Sequence, residues 1–131
     1  MLDHSAVEAN IPAADLDRAR QYYADTFGLM PVEEFGGEAL RYRTAGGTFF
    51  NVYRTEYAGQ AGHTIAQWHV DDVDQEVREL TAKGVDFEIY PDMPGVEWSG
   101  PVATIPGLGK AAWFKDSEGN IMCVDDGMPK G

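Results

Sequence analysis

Several things are scarce in this chain, and each scarcity excludes something. It has one cysteine in 131 residues, so no internal disulfide can staple it. It has no run of eighteen apolar residues, so no membrane-spanning helix is expected. Lys and Arg number 10 against 22 Asp and Glu, a net charge of −12. Such a surface repels phosphate backbones and anionic lipid, which argues against nucleic-acid and membrane partners and favours cationic or neutral ligands. The opening stretch MLDHSAVEAN lacks a basic region followed by an apolar one. No secretion signal is therefore expected, and with a lone cysteine the expected compartment is a reducing cytoplasm. What remains is sufficient for a core, since 44% of the residues are hydrophobic.

The chain also repeats itself. AVEANIPAADLDRARQYYADTFG and HTIAQWHVDDVDQEVRELTAKG share a grammar of strand, acidic cap, helix and glycine. Asp15 falls on Asp72 at an offset of 57, and after a one-residue gap Gly28 falls on Gly84. Asp15 and Asp72 suit the N-cap, where a side-chain oxygen accepts a free N–H of the first turn. Asp17 and Asp74 place negative charge at the positive end of the helix dipole. Leu16, Ala19, Tyr23, Thr26 and Phe27 recur at helical spacing, as do Val73, Val77 and Leu80. Gly28 and Gly84 can end their helices in the left-handed conformation.

Strand-like segments follow each helix: Met30–Phe35, Ala39–Thr44 and Thr48–Arg54, then Val85–Ile89, Ala111–Lys115 and Ile121–Asp125. Gly47 falls on Gly119 at an offset of 72, so the second half carries about sixteen extra residues before its last hairpin. They fall within a Pro- and Gly-rich stretch, read as a long loop at about 90–109 with a short strand at Val102–Ile105. The order is β-α-β-β-β twice, with modules at 1–58 and 59–131. The expected fold class is α+β, one compact unit of two βαβββ modules forming a curved mixed sheet around a groove, with the helices outside.

This pattern, carried by NIPAADLDRARQYYADTFG, HVDDVDQEV and WFKDSEGNIMCV, resembles the vicinal oxygen chelate superfamily of glyoxalases, extradiol dioxygenases, fosfomycin-modifying enzymes and bleomycin-resistance proteins. The resemblance implies paired modules around a cavity and a homodimer. It also implies four positions where the metal-using members hold a divalent ion with His and Glu. Two lie seven residues before each helix-cap Asp, and two lie four residues after each hairpin glycine. Here those positions are Glu8, Ile65, Asn51 and Cys123.

That set is a poor metal site. Isoleucine has no donor, asparagine is a weak neutral one, and one carboxylate and one thiol fall short of a first shell. A shifted site using Glu8, His63 or His69, and Cys123 would need a ligand moved two residues, about 6–7 Å along a strand. No metal and no other cofactor is expected. Cys123 stands where the enzymes keep a carboxylate, and a small half-buried hydrophobe is its simpler role.

Period-two alternation sends Glu8, Asn10, Phe49, Asn51, Tyr53, Gln67, His69 and Cys123 to the groove. Trp98 joins them as a stacking platform in the long loop, and Trp68 is expected under a helix. Aromatic faces and amide groups suit a flat, polar-edged molecule. By resemblance the nearest branch is the bleomycin-resistance type. The expected function is metal-independent sequestration of an aromatic or polycyclic natural product, of bleomycin, mitomycin or enediyne type, giving antibiotic resistance or self-resistance. The expected partner is a small aromatic or cationic ligand rather than an anionic phosphonate. Two alternatives stand beside it: a glyoxalase- or dioxygenase-like lyase or oxidoreductase with an irregular metal site, and a module that binds or senses a flavin-like metabolite.

Overall fold

The computed structural model describes residues 1–127. After a short 3-10 turn at Leu2–His4, the first half contains β1 (Ala9–Ala13), α1 (Leu16–Tyr22), β2 (Glu33–Phe35), β3 (Ala39–Arg43) and β4 (Phe49–Arg54). The second contains β5 (Thr64–His69), α2 (Val73–Ala82), β6 (Phe87–Glu88), β7 (Glu97–Ser99), β8 (Val102–Ile105), β9 (Gly109–Lys115) and β10 (Ile121–Asp125). The caps fall where expected: Asp15 accepts from the Arg18 N–H at 3.0 Å, and Asp72 accepts from the Gln75 N–H at 3.1 Å. The first helix ends in a widened π turn at Tyr23–Phe27, closed by Gly28 at φ +70°.

The α+β class and the twofold βαβββ order are borne out. Two details differ. The strands form two sheets, β1-β4-β3-β2 and β5-β10-β9-β8-β7, rather than one curved sheet. The stretch read as a loop folds into the hairpin β7–β8, which extends the second sheet from the edge of β9. Val102–Ile105 is a strand as expected; Glu97–Ser99 has few β-branched residues to announce it. β6 pairs the other end of the same β9 edge, so it occupies the place in its module that β2 holds in the first.

The two sheets share one core on their helix sides. Ile11, Leu40, Tyr42, Phe50 and Val52 bury against α1 from the first sheet, and Ala112, Phe114, Met122 and Val124 bury against α2 from the second. Rings at the end of α1 bridge them. Tyr23 packs on Tyr42 and Phe50, and Phe27 packs on both Trp68 and Phe114 with centroids 5.6 and 5.9 Å away. Trp68 therefore lies on the helix side, as its alternation requires. Because both sheets turn their helix sides to this core, their opposite faces look outward, away from it.

The turn between β9 and β10 locks the arrangement. Asp116 is buried and accepts from the Tyr23 hydroxyl at 2.9 Å, the Asn120 amide at 3.0 Å, and the Glu118 and Asn120 N–H groups at 2.9 Å. Asn120 donates on to the Pro12 carbonyl at 2.8 Å. Glu118, whose side chain is wholly buried, accepts from the Asp15 N–H and twice from Arg18, at 2.9, 2.8 and 3.0 Å. Gly59 passes so close that a Cβ there would lie 2.7 Å from the Glu118 carbonyl oxygen. Replacing Asp116 with alanine leaves four donors without their acceptor, and D116A should lose about 3 kcal/mol of stability. Urea unfolding reads this directly, and a loss under about 1 kcal/mol would show that the hydrogen bonds gathered by Asp116 do not support the fold.

Candidate functional site

The outward faces carry the candidate residues, but in two groups on separate sheets. On the first face, Asn10 pairs Asn51 across β1 and β4, and Arg41 pairs Asn51 across β3 and β4. Register partners share a face, so Arg41 of the central strand β3 stands among Glu8, Asn10, Phe49, Asn51 and Tyr53. The Arg41 guanidinium donates to both oxygens of Glu8, at 3.0 and 2.6 Å, and to Glu33 at 2.8 Å. It also lies 3.9 Å from the Phe49 ring centroid, a cation–π contact. Asn51 turns its amide to Glu8 at 3.3 Å.

The single carboxylate among the four chelate-type positions is thus already paired. The hydrogen bonds from Arg41 hold Glu8 below its ordinary value of 4.5, against the opposing effect of burial. Phe49, expected as a stacking surface, has one face covered by Arg41; Tyr53 keeps 40% of its surface exposed.

On the second face, Cys123 pairs Trp113 on one side and Gln67 on the other, and Asp125 pairs Ala111 and His69. Trp98 pairs Ala103, and Ala103 pairs Ala111, so Trp98 lies on this face too. It does so from strand β7 rather than from a loop. Its ring centroid is 6.0 Å from that of Trp113, whose other neighbour is Tyr90 at 5.8 Å. Ala103, Ala111 and Cys123 are buried outside the main core and form a flat floor beside these rings. Glu88 pairs Trp113 and joins them. Three polar atoms on this face, Glu88 Oε1, Tyr90 OH and Trp98 Nε1, are buried with no hydrogen-bond partner among the described residues.

The edge of this face is polar. Gln67 Nε2 donates to Asp125 Oδ2 at 2.7 Å, and His69 Nδ1 lies 2.9 Å from the same oxygen. Cys123 is 2% exposed, and burial followed by the charge of Asp125 pushes its thiol up to about 12. It is a neutral thiol at physiological pH, neither a ready nucleophile nor a ready metal ligand. Ile65 packs toward the core, and His63 is exposed with Nδ1 3.0 Å from the Thr64 carbonyl oxygen. Among the described residues, no group of three or more His, Cys, Asp or Glu side chains is placed to hold a metal ion. The donors do not fit a divalent cation.

Gln67, His69, Trp98 and Cys123 are thus brought together on one face, and Glu8, Asn10, Phe49, Asn51 and Tyr53 on the other. Sequence reasoning missed Arg41, Glu88, Tyr90 and the facing of Trp113. Arg41 was findable: it alternates with Ala39 and Arg43 on a strand whose buried residues are Leu40 and Tyr42.

Two measurements test this geometry. In a carboxyl NMR titration Glu8 should show a midpoint below 4.5, and R41Q should return it to the ordinary value. Since the folded-state pKa is the lowered one, the pair stabilises the fold above pH 4.5, and that contribution vanishes as pH falls through the folded-state midpoint. Iodoacetamide at pH 8 should alkylate Cys123 in native protein at least ~100-fold more slowly than in urea-unfolded protein. Equal rates would mean that the floor is open.

Comparison with known proteins places this geometry. The model of the Glyoxalase/Bleomycin resistance protein/Dioxygenase superfamily matches residues 2–124. A fosfomycin resistance protein, FosX, from Listeria monocytogenes, solved with Mn(II) and a dihydroxypropylphosphonic acid, is similar with a TM-score of 0.68 and 16% identity. That match covers 95% of this chain and 91% of that one. A lactoylglutathione lyase from Agrobacterium tumefaciens gives 0.70 and 20%, covering 94% of each chain. UcmS2 gives 0.67 and 16%, covering 91% of this chain and 95% of that one. At these identities the likeness is one of fold. No curated protein matches the chain in sequence.

Proposed function

The chain belongs to the Glyoxalase/Bleomycin resistance protein/Dioxygenase superfamily, and within it we propose that it is a metal-independent binding protein that sequesters an aromatic or polycyclic natural product. The observation that carries this reading is the pairing of Glu8 with Arg41. In the metal-using members this position supplies a ligand; here its charge is spent on a guanidinium that would itself repel a cation. The remaining positions offer a neutral amide, an isoleucine and a protonated thiol.

The second face supplies what a flat ligand needs. Trp98, Trp113 and Tyr90 present aromatic surface over a floor of small side chains, and Glu88, Tyr90 and Trp98 hold polar atoms without partners. A ligand with both donors and acceptors on its edge could satisfy them, which an apolar one could not. Bleomycin-, mitomycin- and enediyne-type molecules have this character, and the net charge of −12 favours cationic ones. The FosX neighbour is itself a resistance protein, which accords with a role in antibiotic resistance. The two candidate groups lie on separate sheets, so we propose that a second copy brings such faces together into one groove, making the working unit a homodimer in the cytoplasm.

A second reading, catalysis, has one feature in its favour. Asp125 fixes the His69 imidazole through Nδ1, leaving Nε2 as a proton acceptor on an edge where the side chain is 37% exposed. Such a site would work as a lyase or isomerase without the Glu8 carboxylate.

Tryptophan fluorescence titration with a panel of bleomycin-, mitomycin- and enediyne-type drugs separates the two. At least one should quench with saturation, unchanged by EDTA or added Mn²⁺, and W98A should weaken it about tenfold, or ~1.4 kcal/mol. Turnover of a small metabolite that H69A abolishes, with no drug bound, would reverse the assignment.

A further inference from the structure

A second concavity lies on the other side of the second sheet. It opens between the two halves, where the end of α1 and the β3–β4 turn face α2, and its volume is about 730 Å³. That is the size range of sites for small organic molecules. Its floor is made by helix-side residues, among them Phe27, Trp68, Leu80, Phe114 and Val124. Gln67 and His69 form a rim that it shares with the outward face, but Trp98 and Cys123 do not line it, so it lies apart from the aromatic part of that face.

The polar groups around it carry a net negative charge. Glu76 and Glu79 project from α2 and Lys83 follows them. Lys83 Nζ is turned across the mouth to the Asp25 carbonyl oxygen at 3.1 Å, and Glu79 accepts from Gln75 at 3.1 Å. His69 at the far rim is held by Asp125. The side chain of Glu76 is half-buried and, among the described residues, has no hydrogen bond or ion pair. Burial, and then the charges of Glu79 and Asp72, raise its pKa above the ordinary 4.5. A carboxylate left this way beside apolar rings is stabilised by a cation that brings its own apolar body.

We propose that this inter-module cleft is a second ligand site, which takes a small organic ammonium with its charge beside Glu76 and its apolar body over Phe27 and Trp68. The charge pattern selects against carboxylates and phosphates, and the floor selects against fully hydrated amines. The site is independent of any ligand held at Trp98.

The test uses three probes with one skeleton: 4-phenylbutylammonium, 4-phenylbutan-1-ol and 4-phenylbutyrate, each titrated into the full chain at pH 7 with ¹H–¹⁵N NMR detection. The ammonium should shift the amides of Phe27, Gly28, Glu76 and Leu80 with saturation, and leave those of Trp98, Trp113 and Cys123 in place. The alcohol should bind about fivefold more weakly, the butyrate more weakly still, and E76Q should bring the ammonium down to the level of the alcohol. Equal affinity for all three probes, absence of saturable shifts, or shifts confined to the Trp98 face would each overturn the proposal. So would shifts at the cleft that depend on protein concentration without any probe, which would assign the cleft to a contact between copies. Failure here leaves the drug titration at Trp98 untouched, since the two sites report on different amides.

Discussion

Everything outward-facing in this protein depends on one buried carboxylate. Asp116 sits at the head of the β9–β10 turn and collects a hydroxyl from the π turn that follows α1, an amide and two main-chain N–H groups. Through Asn120 and Glu118 the same turn reaches the Pro12 carbonyl and the N–H of Asp15, the N-cap of α1. Burying a carboxylate is costly, and here that cost is offset by four hydrogen bonds, three from within the turn and one, from the Tyr23 hydroxyl, that depends on how the halves are placed. Burial still raises the pKa of Asp116. The polar clasp sets the register of the two halves, and the bridging rings of Tyr23 and Phe27 fill the space behind it.

That placement has a functional consequence. With the helix sides joined, each sheet presents its other face outward and the two faces differ in chemistry. The first is electrostatic, built on Arg41 between Glu8 and Glu33. The second is aromatic, built on Trp113 between Tyr90 and Trp98. In a family whose fold can gather metal ligands from both modules, here neither face has enough donors. The first has placed a cation of its own beside its carboxylate, and the second has placed a neutral thiol at the equivalent position. The proposed recognition of a flat organic molecule rests on this difference between the two surfaces.

Much of the fold was legible in the sequence because its signals are local. The Asp15 and Asp72 caps, the glycine that ends α1, and the alternation in β1 and β4 each depend on a few neighbouring residues, and each appears where the pattern puts it. The β7–β8 hairpin was half legible: Val102–Ile105 is apolar enough to show, while Glu97-Trp98-Ser99 reads as loop until β8 pairs with it. Within the site, the facing of Glu8, Asn51 and Cys123 followed from alternation. The facing of Trp113 and Trp98 required the register of β8, β9 and β10, which no short stretch specifies.

The sequence by itself determined the twofold βαβββ plan, the caps, and the poverty of donors at the four chelate-type positions. These are matters of residue type and spacing along the chain. Only the tertiary structure decided that Arg41 neutralises Glu8, that the rings of Tyr90, Trp113 and Trp98 gather on the face that carries Cys123, and that a cleft opens beside Glu76. Each of those joins side chains from different strands or from both halves. Such contacts depend on register and packing, which are settled by the shared core and not by any one segment.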